Sequence, residues 1–347
     1  MSKNKSIGFF AGPAFFLLIV LVSYFAEAPD MLKVLAVTLL MVIWWVSEPV
    51  SLSVTALIPL FMFPILGIMP IAESAAFYAN PVVFLFMGGF IIALAMQNQN
   101  LHLRIALNLI KLTGTRPSGI LFGFMLSTYL ISMWISNTAT TVMMLPIALP
   151  VIELLSKNNK QSRLGFLLML AIAYAANIGG TATIIGTPPT VVFVAYANEF
   201  LDFQISFNQW LIVGLPFSLV LFLITYFFLS KNIRNGKSNI ETENFIKNKI
   251  VALGPMSKGE KAVSIIGIAT ALLWITRQLI NKFVGFELLN DPIIAMVGGF
   301  MMFVFPTNIK EGKFLLGWDQ MSKLPWGILI LFGGGLCLAN GMQQSGI

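Results

Sequence analysis

Long apolar runs separated by short polar loops follow one another along almost the whole chain. Most of these runs have the length of a membrane-spanning helix, which is about 20 residues. The runs lie at residues 7–25, 32–47, 50–67, 82–101, 165–197, 210–229, 262–283, 292–306 and 325–343. A further apolar stretch at 117–155 is interrupted by polar residues and needs a separate interpretation. This pattern predicts an all-α polytopic membrane protein.

The composition agrees with that interpretation and excludes other classes of protein. Of the 347 residues, 57% are hydrophobic and 10% are charged, whereas soluble proteins carry roughly 25% charged residues. The net charge of +7 does not indicate a nucleic-acid partner, because the basic residues concentrate in alternate loops. The single cysteine, Cys337, excludes a disulfide framework or a cysteine metal site within one chain. The partner that the composition indicates is the lipid bilayer.

The distribution of charge predicts how the spans are oriented. Lys3 and Lys5 precede the first run, and further basic residues concentrate in the loops 102–116, 157–163 and 231–261. The intervening loops, which carry acidic residues and no Lys or Arg, are 26–31, 68–80, 197–209 and 284–291. The positive-inside rule therefore predicts a multi-pass protein of the cytoplasmic (inner) membrane with a cytoplasmic N-terminus. A cleaved signal peptide is the alternative for residues 7–25, but the run is long for that role.

The interrupted stretch 117–155 has to leave this orientation unchanged, because basic residues flank it on both sides. As one helix it would be about 58 Å long at 1.5 Å per residue, which is too long for a single span. The polar groups of Ser136-Asn137-Thr138 would also lie at its middle, where lipid cannot satisfy them. We therefore predict a re-entrant helical hairpin that enters and leaves from the cytoplasm, with these three residues at its tip. Two short complete spans are the alternative.

A repeat is visible within the chain. Residues 85–97 and 331–343 share Leu-Phe, Gly-Gly, Ala and Met-Gln at the same spacing, with an offset of 246 residues. An acidic residue followed by proline also precedes an apolar span upstream of each copy, at Glu48-Pro49 and Asp291-Pro292. The copies lie in the fourth and the ninth predicted spans, with four spans between them, so they cross in opposite directions, as in the inverted repeats of secondary transporters.

The same offset places a second polar tip near position 382, beyond Ile347. We therefore expect that the second repeat is truncated and that the chain is a fragment.

A second polar interruption lies at 177–190, inside the apolar run 165–197. Gly179-Gly180, Gly186 and Pro188-Pro189 disfavour a continuous helix, so we predict that the middle of this run is unwound. Freed carbonyl groups are ligands for a cation, and the amino termini of the two half-helices attract an anion. The alternative is a kinked span in which small residues serve close packing.

Charged side chains are missing from both interruptions. No Lys or Arg occurs within 117–156 or 164–198, and Glu153 is the only acid between Glu73 and Glu199. A proton carrier would normally place Asp or Glu in the middle of the membrane, so the neutral oxygens favour Na⁺. Ser132 and Ser136 are candidate ligands because they lie four residues apart on one helix face. The alternative for each hydroxyl is a bond to its own helix backbone.

These motifs resemble those of the divalent anion:sodium symporter family, and the resemblance covers essentially the whole chain. The Ser-Asn-Thr signature of the family matches Ser136-Asn137-Thr138, and its Gly-[Ser/Thr]-Pro-Pro element matches Gly186-Thr187-Pro188-Pro189. The Na⁺ site that the resemblance implies consists of Ser132, Ser136, Asn137 and Gly186. The substrate site that it implies consists of Ser136, Asn137, Thr138, Thr187 and Pro188. Thr190 departs from the asparagine that often follows the double proline, and a second Ser-Asn-Thr would lie beyond Ile347.

The resemblance also implies an elevator-type transporter, in which a mobile transport domain slides against a dimeric scaffold. Residues 1–101 would be scaffold spans of the first repeat. Residues 102–209 would be half of the transport domain, with an interfacial helix, the hairpin and the broken span. Residues 210–261 would be a connecting span and a basic cytoplasmic linker, and residues 262–347 the incomplete scaffold spans of the second repeat. A homodimer formed through the scaffold spans is therefore expected.

The function expected from these observations is secondary active transport of a small di- or tricarboxylate or a related divalent anion, such as succinate, citrate or sulfate. Na⁺ is the expected coupling ion, and no cofactor is expected. The chain as given is expected to form the first ion site but not to complete a transport cycle. An anion channel or an exchanger is the alternative. A membrane-embedded enzyme is disfavoured, because the chain has a single histidine, His102, at a predicted cytoplasmic membrane edge, a single cysteine, and no Asp in the middle of the membrane.

Overall fold

The computed structural model describes residues 2–26, 29–156, 162–201, 203, 205–231, 233 and 240–347. In chain order the α-helices are α1 Lys3–Ser23, α2 Pro29–Ser47, α3 Leu52–Thr55, α4 Ile58–Ile65, α5 Ile71–Tyr78, α6 Pro81–Asn98, α7 Leu101–Thr113, α8 Pro117–Ser132, α9 Asn137–Ser156, α10 Ser162–Thr181, α11 Pro188–Phe200, α12 Phe207–Ser230, α13 Ile240–Leu253, α14 Lys258–Val284, α15 Asp291–Val304 and α16 Trp326–Ser345. Two short antiparallel strands, β1 Pro306–Asn308 and β2 Lys313–Phe314, and a 3₁₀-helix, Trp318–Lys323, lie between α15 and α16.

Eight helices within the described residues are long and apolar enough to cross a membrane. They are Lys3–Ser23, Pro29–Ser47, Ile71–Asn98, Asn137–Leu155, Leu164–Thr181, Phe207–Ser230, Lys258–Val284 and Trp326–Ser345. The third of these spans consists of α5 and α6 together. The prediction of an all-α polytopic membrane protein is thereby confirmed. The basic loop predicted around 157–160 and much of the linker at 234–239 lie outside the described residues, but the linker does contain a helix, α13.

Three predicted boundaries were wrong. The span at 50–67 is divided into α3 and α4, because Pro59 has no N–H to donate to the preceding turn. The loop predicted at 68–80 contains α5, whose first turn carries Glu73 near the positive end of the helix dipole. The span predicted to end at 101 stops at Asn98, and Asn100, with a φ of 57°, turns the chain into α7.

The first compact unit comprises residues 1–84 and 325–347. Its core contains buried side chains from α1, α2, α4 and α16, among them Phe16, Met41, Phe63 and Cys337. Within this unit α1 packs along α2, and α16 packs against α5.

The second compact unit comprises residues 85–324. Its core is built on α8 and α10, and α10 also packs against α9 and α12. The predicted interfacial helix corresponds to α7, which buries Ile110 against α8 at Gly123. The predicted functional boundaries at 101, 209 and 261 stay a prediction, because compactness alone does not show which elements move together.

Equivalent glycines of the two repeat copies make equivalent contacts. Gly88 of the first copy packs against the backbone of Ala295, which lies in the predicted second-repeat span 292–306. Gly334, its equivalent at the 246-residue offset, packs against the backbone of Ala56, which lies in the predicted first-repeat span 50–67. A helix of each copy therefore packs on a span of the other copy, and this exchange supports the predicted repeat.

Two buried ion pairs hold the ends of α14. At its start, Arg104 Nε lies 2.6 Å from Glu260 Oε1, and the same guanidinium donates to the carbonyl oxygens of Leu253 and Gly254 at the end of α13. After its end, Asp291 accepts the backbone N–H of Phe207 at 2.8 Å and lies 3.2 Å from Arg277 Nε. Because charges are costly to bury without partners, these pairs fix α14 relative to α7, α13 and the start of α12.

The two adjacent glycines of α6 allow a matched test of close packing. A β-carbon at Gly88 would overlap the backbone of Ala295, whereas one at Gly89 would first meet Ile185 at an ordinary 3.4 Å. We expect Gly88→Ala to lower the free energy of unfolding in detergent by about 1–3 kcal/mol through overpacking. Gly89→Ala should leave it unchanged or raise it, because alanine has the higher helix propensity. Equal effects of the two substitutions would contradict the α6–α15 contact.

Candidate functional site

Two helix breaks form the centre of the second unit. The first separates α8 from α9 at residues 133–136, and the second separates α10 from α11 at residues 182–187. Pro188 and Pro189 occupy the first turn of α11, and Thr187 before them is extended, with a φ of −144°. Proline is tolerated at a helix start but not in a helix interior, so this pair forces the second break. The predicted interruption of both apolar runs is confirmed.

Asn137 connects the two breaks through its side-chain amide. Its Oδ1 accepts a hydrogen bond of 3.0 Å from Ser132 Oγ, at the end of α8. Its Nδ2 donates to Thr187 Oγ1 at 3.4 Å, across to the second break, and to Asn177 Oδ1 at 3.0 Å. Ser132 Oγ also lies 2.7 Å from the carbonyl oxygen of Ala176 in α10. One carboxamide therefore joins the start of α9 to the start of α11.

Two glycines allow the breaks to come this close. A β-carbon at Gly180 would overlap Oδ1 of Asn137. A β-carbon at Gly186 would overlap the carbonyl oxygen of Gly180 and would lie 2.9 Å from that of Ser132. Backbone carbonyl oxygens from the last turns of α8 and α10 therefore lie close to Gly186, and the side chain of Asn137 lies against Gly180.

Thr183 forms a second connection between the breaks. Its Oγ1 donates to the carbonyl oxygen of Met133 in the first break and accepts the N–H of Gly186 at 3.1 Å in the second. The sequence analysis did not assign a role to Thr183, Ala176 or Asn177, although Thr183 and Asn177 belong to the polar interruption at 177–190. Their position in that interruption was the available signal for a role in the site. Ala176 contributes a backbone carbonyl, which any residue type would provide, so the sequence could not have identified it.

The site has the chemistry to hold both signs of charge without a charged side chain. The amino termini of α9 and α11 carry the positive ends of helix dipoles, which favour an anion, although the prolines at the start of α11 leave it fewer N–H donors. The carboxyl ends of α8 and α10 and the two breaks supply carbonyl and side-chain oxygens, which favour a hard cation. Within the described residues, no group of three His, Cys, Asp or Glu side chains could hold a metal ion.

Contacts join four of the residues predicted for the site, and the other three are their neighbours along the chain. Ser132, Asn137 and Thr187 are joined by hydrogen bonds, and Gly186 lies against Ser132. The other three are Ser136, which is half-buried before α9, Thr138, which is exposed, and Pro188, which is half-buried at the start of α11. The ligand roles of all seven residues stay a prediction.

Two further threonines of the first interruption bond the hairpin itself. Thr140 Oγ1 donates to the carbonyl oxygen of Ile135 at 3.3 Å, and Thr141 Oγ1 donates to that of Asn137 at 2.8 Å. Both hydroxyls therefore satisfy backbone groups around the break, and we assign them a structural role.

The single histidine does not add a proton carrier to the site. His102 lies on the buried face of the amphipathic helix α7 and is 8% exposed. Its Nδ1 lies 3.4 Å from the carbonyl oxygen of Met96. Burial lowers the pKa of its imidazole, and the contact with Met96 offsets this only in part. The imidazole is therefore neutral near pH 7, in keeping with a packing role.

Comparison with known proteins identifies the family. The family described as "Sodium:sulfate symporter transmembrane region" matches residues 7–347. The chain belongs to this symporter family. Among its relatives are proteins named "Sodium-dependent dicarboxylate transporter SdcS" from Staphylococcus aureus strains USA300, MSSA476 and MRSA252. Each is 38% identical over 364 aligned residues, which cover 100% of this chain and 69% of the relative.

Membership of the symporter family decides between the classes considered above. The family and these relatives are transporters, so the prediction that the chain is not an enzyme is confirmed. The resemblance found in the two motifs is confirmed over nearly the whole chain. The expected truncation stays a prediction, because the symporter family match does not test it.

The contact between Gly180 and Asn137 can be tested by a double-mutant cycle. Gly180→Ala should displace the Asn137 carboxamide and lower the free energy of unfolding by about 1–3 kcal/mol. In an Asn137→Ala background the same substitution should be neutral or stabilising, because the overlapping oxygen is gone and alanine favours α10. The free energy of unfolding of the purified protein in detergent gives the coupling between the two sites. Additive effects would show that the two residues are not in contact.

Proposed function

We propose that this protein takes part in Na⁺-coupled transport of a small dicarboxylate or related divalent anion across the cytoplasmic membrane. The observation that carries the proposal is the Asn137 carboxamide, which connects two helix breaks within hydrogen-bonding distance of Ser132 and Thr187. Membership of a sodium-coupled symporter family and the names of the dicarboxylate-transporting relatives support it.

In the proposed cation site, Na⁺ is held by the Ser132 and Ser136 hydroxyls, the Asn137 amide oxygen and the Gly186 carbonyl. The convergence of the Ser132 and Gly180 carbonyl oxygens around Gly186 supports this position. Oxygen ligands from unwound backbone are the usual way in which secondary transporters coordinate Na⁺. Ser132 Oγ is the donor in its hydrogen bonds to Asn137 Oδ1 and to the Ala176 carbonyl, so its lone pairs stay available to coordinate the ion.

In the proposed anion site, one carboxylate lies at the amino termini of α9 and α11. Ser136, Asn137, Thr138, Thr187 and Pro188 are the residues that would contact it. Thr187 precedes α11 without capping it through its own side chain. Pro188 and Pro189 have no N–H, so the first amide donor of α11 that could meet an anion is that of Thr190. The exposure of Thr138 allows the substrate to reach the start of α9.

The remaining parts of the proposal concern orientation and movement. The N-terminus and the entry side of the α8–α9 hairpin face the cytoplasm, as the charge distribution of the loops favours. The hairpin and broken helix move together as a transport domain, against a scaffold through which two chains form a homodimer. The assignments of movement and of the homodimer rest on the resemblance to the divalent anion:sodium symporter family, which implies an elevator-type transporter.

Binding of Na⁺ can be measured without a complete transport cycle. A ligand that binds only the folded state stabilises it by about 2.7 kcal/mol at 100 times its Kd. NaCl should therefore raise the Tm of the purified protein above its value in KCl of equal ionic strength. Ser132→Ala should abolish this increment, because it removes a proposed ligand.

Ser127→Ala is the matched control for this experiment. Ser127 is a second buried serine of α8, and its hydroxyl donates to the backbone carbonyl of Gly123 at 2.6 Å. This variant should lower the Tm but keep the Na⁺ increment. A proposal that places Na⁺ at Ser132 fails if both variants respond to Na⁺ equally.

Anion recognition at Thr187 predicts a loss of substrate affinity. A hydrogen bond to a charged group contributes about 1.5–3 kcal/mol, so Thr187→Val should raise the Kd for succinate by roughly tenfold or more. Equilibrium binding of labelled succinate in NaCl measures this, with citrate and sulfate as competitors. Thr181→Val is the control, because the Thr181 hydroxyl bonds the carbonyl of Ile178 within its own helix at 2.8 Å. An unchanged Kd in Thr187→Val would remove this residue from the site.

A further inference from the structure

An apolar cavity of about 270 Å³ lies beside α14 within the second unit. It is half open to the outside, and we call it the α14 groove. Its walls come from α6, α7, the end of α8 with the first break, and α14, and include Ile92, Met96, Leu130, Trp134, Gly267 and Ile268. The volume is close to the lower end of the roughly 300–1,000 Å³ of small-molecule sites.

The polar groups in the wall of the α14 groove are already satisfied within the protein. Ser264 Oγ donates to the carbonyl oxygen of Glu260 and Thr270 Oγ1 to that of Ile266, both at 2.8 Å. The indole N–H of Trp274 donates to the carbonyl oxygen of Asp291 at 3.1 Å. A polar occupant would lose its hydrogen bonds to water without gaining others. The occupant that the α14 groove favours is therefore hydrocarbon.

The construction of α14 keeps the groove open. The Arg104–Glu260 and Arg277–Asp291 pairs hold its two ends, so its middle cannot settle freely against α6 and α8. At that middle, a β-carbon on Gly267 would meet no atom within 4 Å. Packing does not require glycine there, and glycine in a helix interior is less favourable than alanine.

The surroundings of the groove indicate which hydrocarbon it takes. The outer face of α14 is exposed at Ile265 and Leu272, and α14 is long and apolar enough to cross the membrane, so this face meets lipid. Lys261 is exposed, and it lies three and seven residues before Ser264 and Ile268, on the helix face that lines the groove. Its ammonium group can therefore meet a phosphate at the end of the groove that lies near the amino terminus of α14.

We propose that the α14 groove binds one acyl chain of an anionic phospholipid, whose headgroup phosphate lies at Lys261. The bound chain would contact Leu130 and Trp134, which flank Ser132 at the end of α8. This proposal stands on the groove and its charges and does not depend on the proposed transport function.

Photolabelling in vesicles of defined composition tests the proposal. The full chain is reconstituted in phosphatidylcholine vesicles that contain a trace of phosphatidylglycerol with a diazirine at the end of one acyl chain. We expect label on the peptide that contains Leu130 and Trp134 above the level on the lipid-facing residues of α12, such as Phe217 and Val220. Gly267→Leu should fill the groove and remove this excess.

Gly335→Leu is the matched control, because Gly335 is a helical glycine of α16 whose added β-carbon also meets nothing within 4 Å. It should keep the excess label. If Gly267→Leu does not fold, Ala271→Leu narrows the same groove from the next turn. Excess label that persists in a folded groove-filling variant, or a level equal to that on α12, overturns the proposal. Crosslinking of the groove to a second protein chain also overturns it.

The headgroup is tested separately with a phosphatidylcholine probe that carries the same diazirine chain. Lys261→Gln should reduce labelling by the phosphatidylglycerol probe roughly fivefold, since one basic residue near the surface contributes about 1 kcal/mol to anionic-lipid binding. It should leave labelling by the phosphatidylcholine probe unchanged. Equal labelling by the two probes, unaffected by Lys261→Gln, overturns the assignment of the phosphate to Lys261.

Discussion

Backbone polar groups that leave a helix inside a membrane must find partners within the protein, because hydrocarbon offers none. In this chain each of two helix breaks supplies hydrogen-bond partners to the other. Thr183 donates to the Met133 carbonyl in the first break and accepts the N–H of Gly186 in the second. The side chain of Asn137 joins Ser132 to Thr187. The breaks are stable as a pair, and each would be costly alone. The site is thus a consequence of how the fold satisfies its own backbone.

This mutual dependence explains why the site contains so many small residues. Gly180 and Gly186 permit the two breaks to touch, and Gly179 allows α10 to approach the Tyr129 backbone in α8. Each substitution that adds a β-carbon there would push a polar group away from its partner. Packing and ligand binding are consequently set by the same residues, and a change that loosens the contact between α8 and α10 also disperses the oxygens of the proposed cation site.

The sequence was informative wherever residue type alone determines local structure. Pro188-Pro189 required a break, the long apolar runs required spans, and Ser136-Asn137-Thr138 marked the first interruption. It was less informative where tertiary contact decides. The role of Asn177 depends on the distance between two helices, and that of Ala176 on a carbonyl that every residue possesses. Hydropathy did not predict the division of span 50–67 or the helix within loop 68–80. It averages over many residues and so does not detect the effect of a single proline or of a helix cap.

The neutral character of the site bears on why an anion and a cation should bind together. A helix amino terminus stabilises an anion by about 0.3–1 kcal/mol at a surface and by up to about 2 kcal/mol when partly buried. Removing a carboxylate from water costs several kcal/mol, so two helix termini leave a deficit. A cation about 4 Å away contributes about 4 kcal/mol at an effective dielectric constant of 20. No Lys or Arg lies between residues 117 and 156 or between 164 and 198, and in the proposed site a bound ion supplies that contribution. In the proposed site, therefore, Na⁺ at Ser132 and Asn137 supplies the charge that allows the anion to bind at Thr187, and coupling follows from the absence of a fixed positive charge.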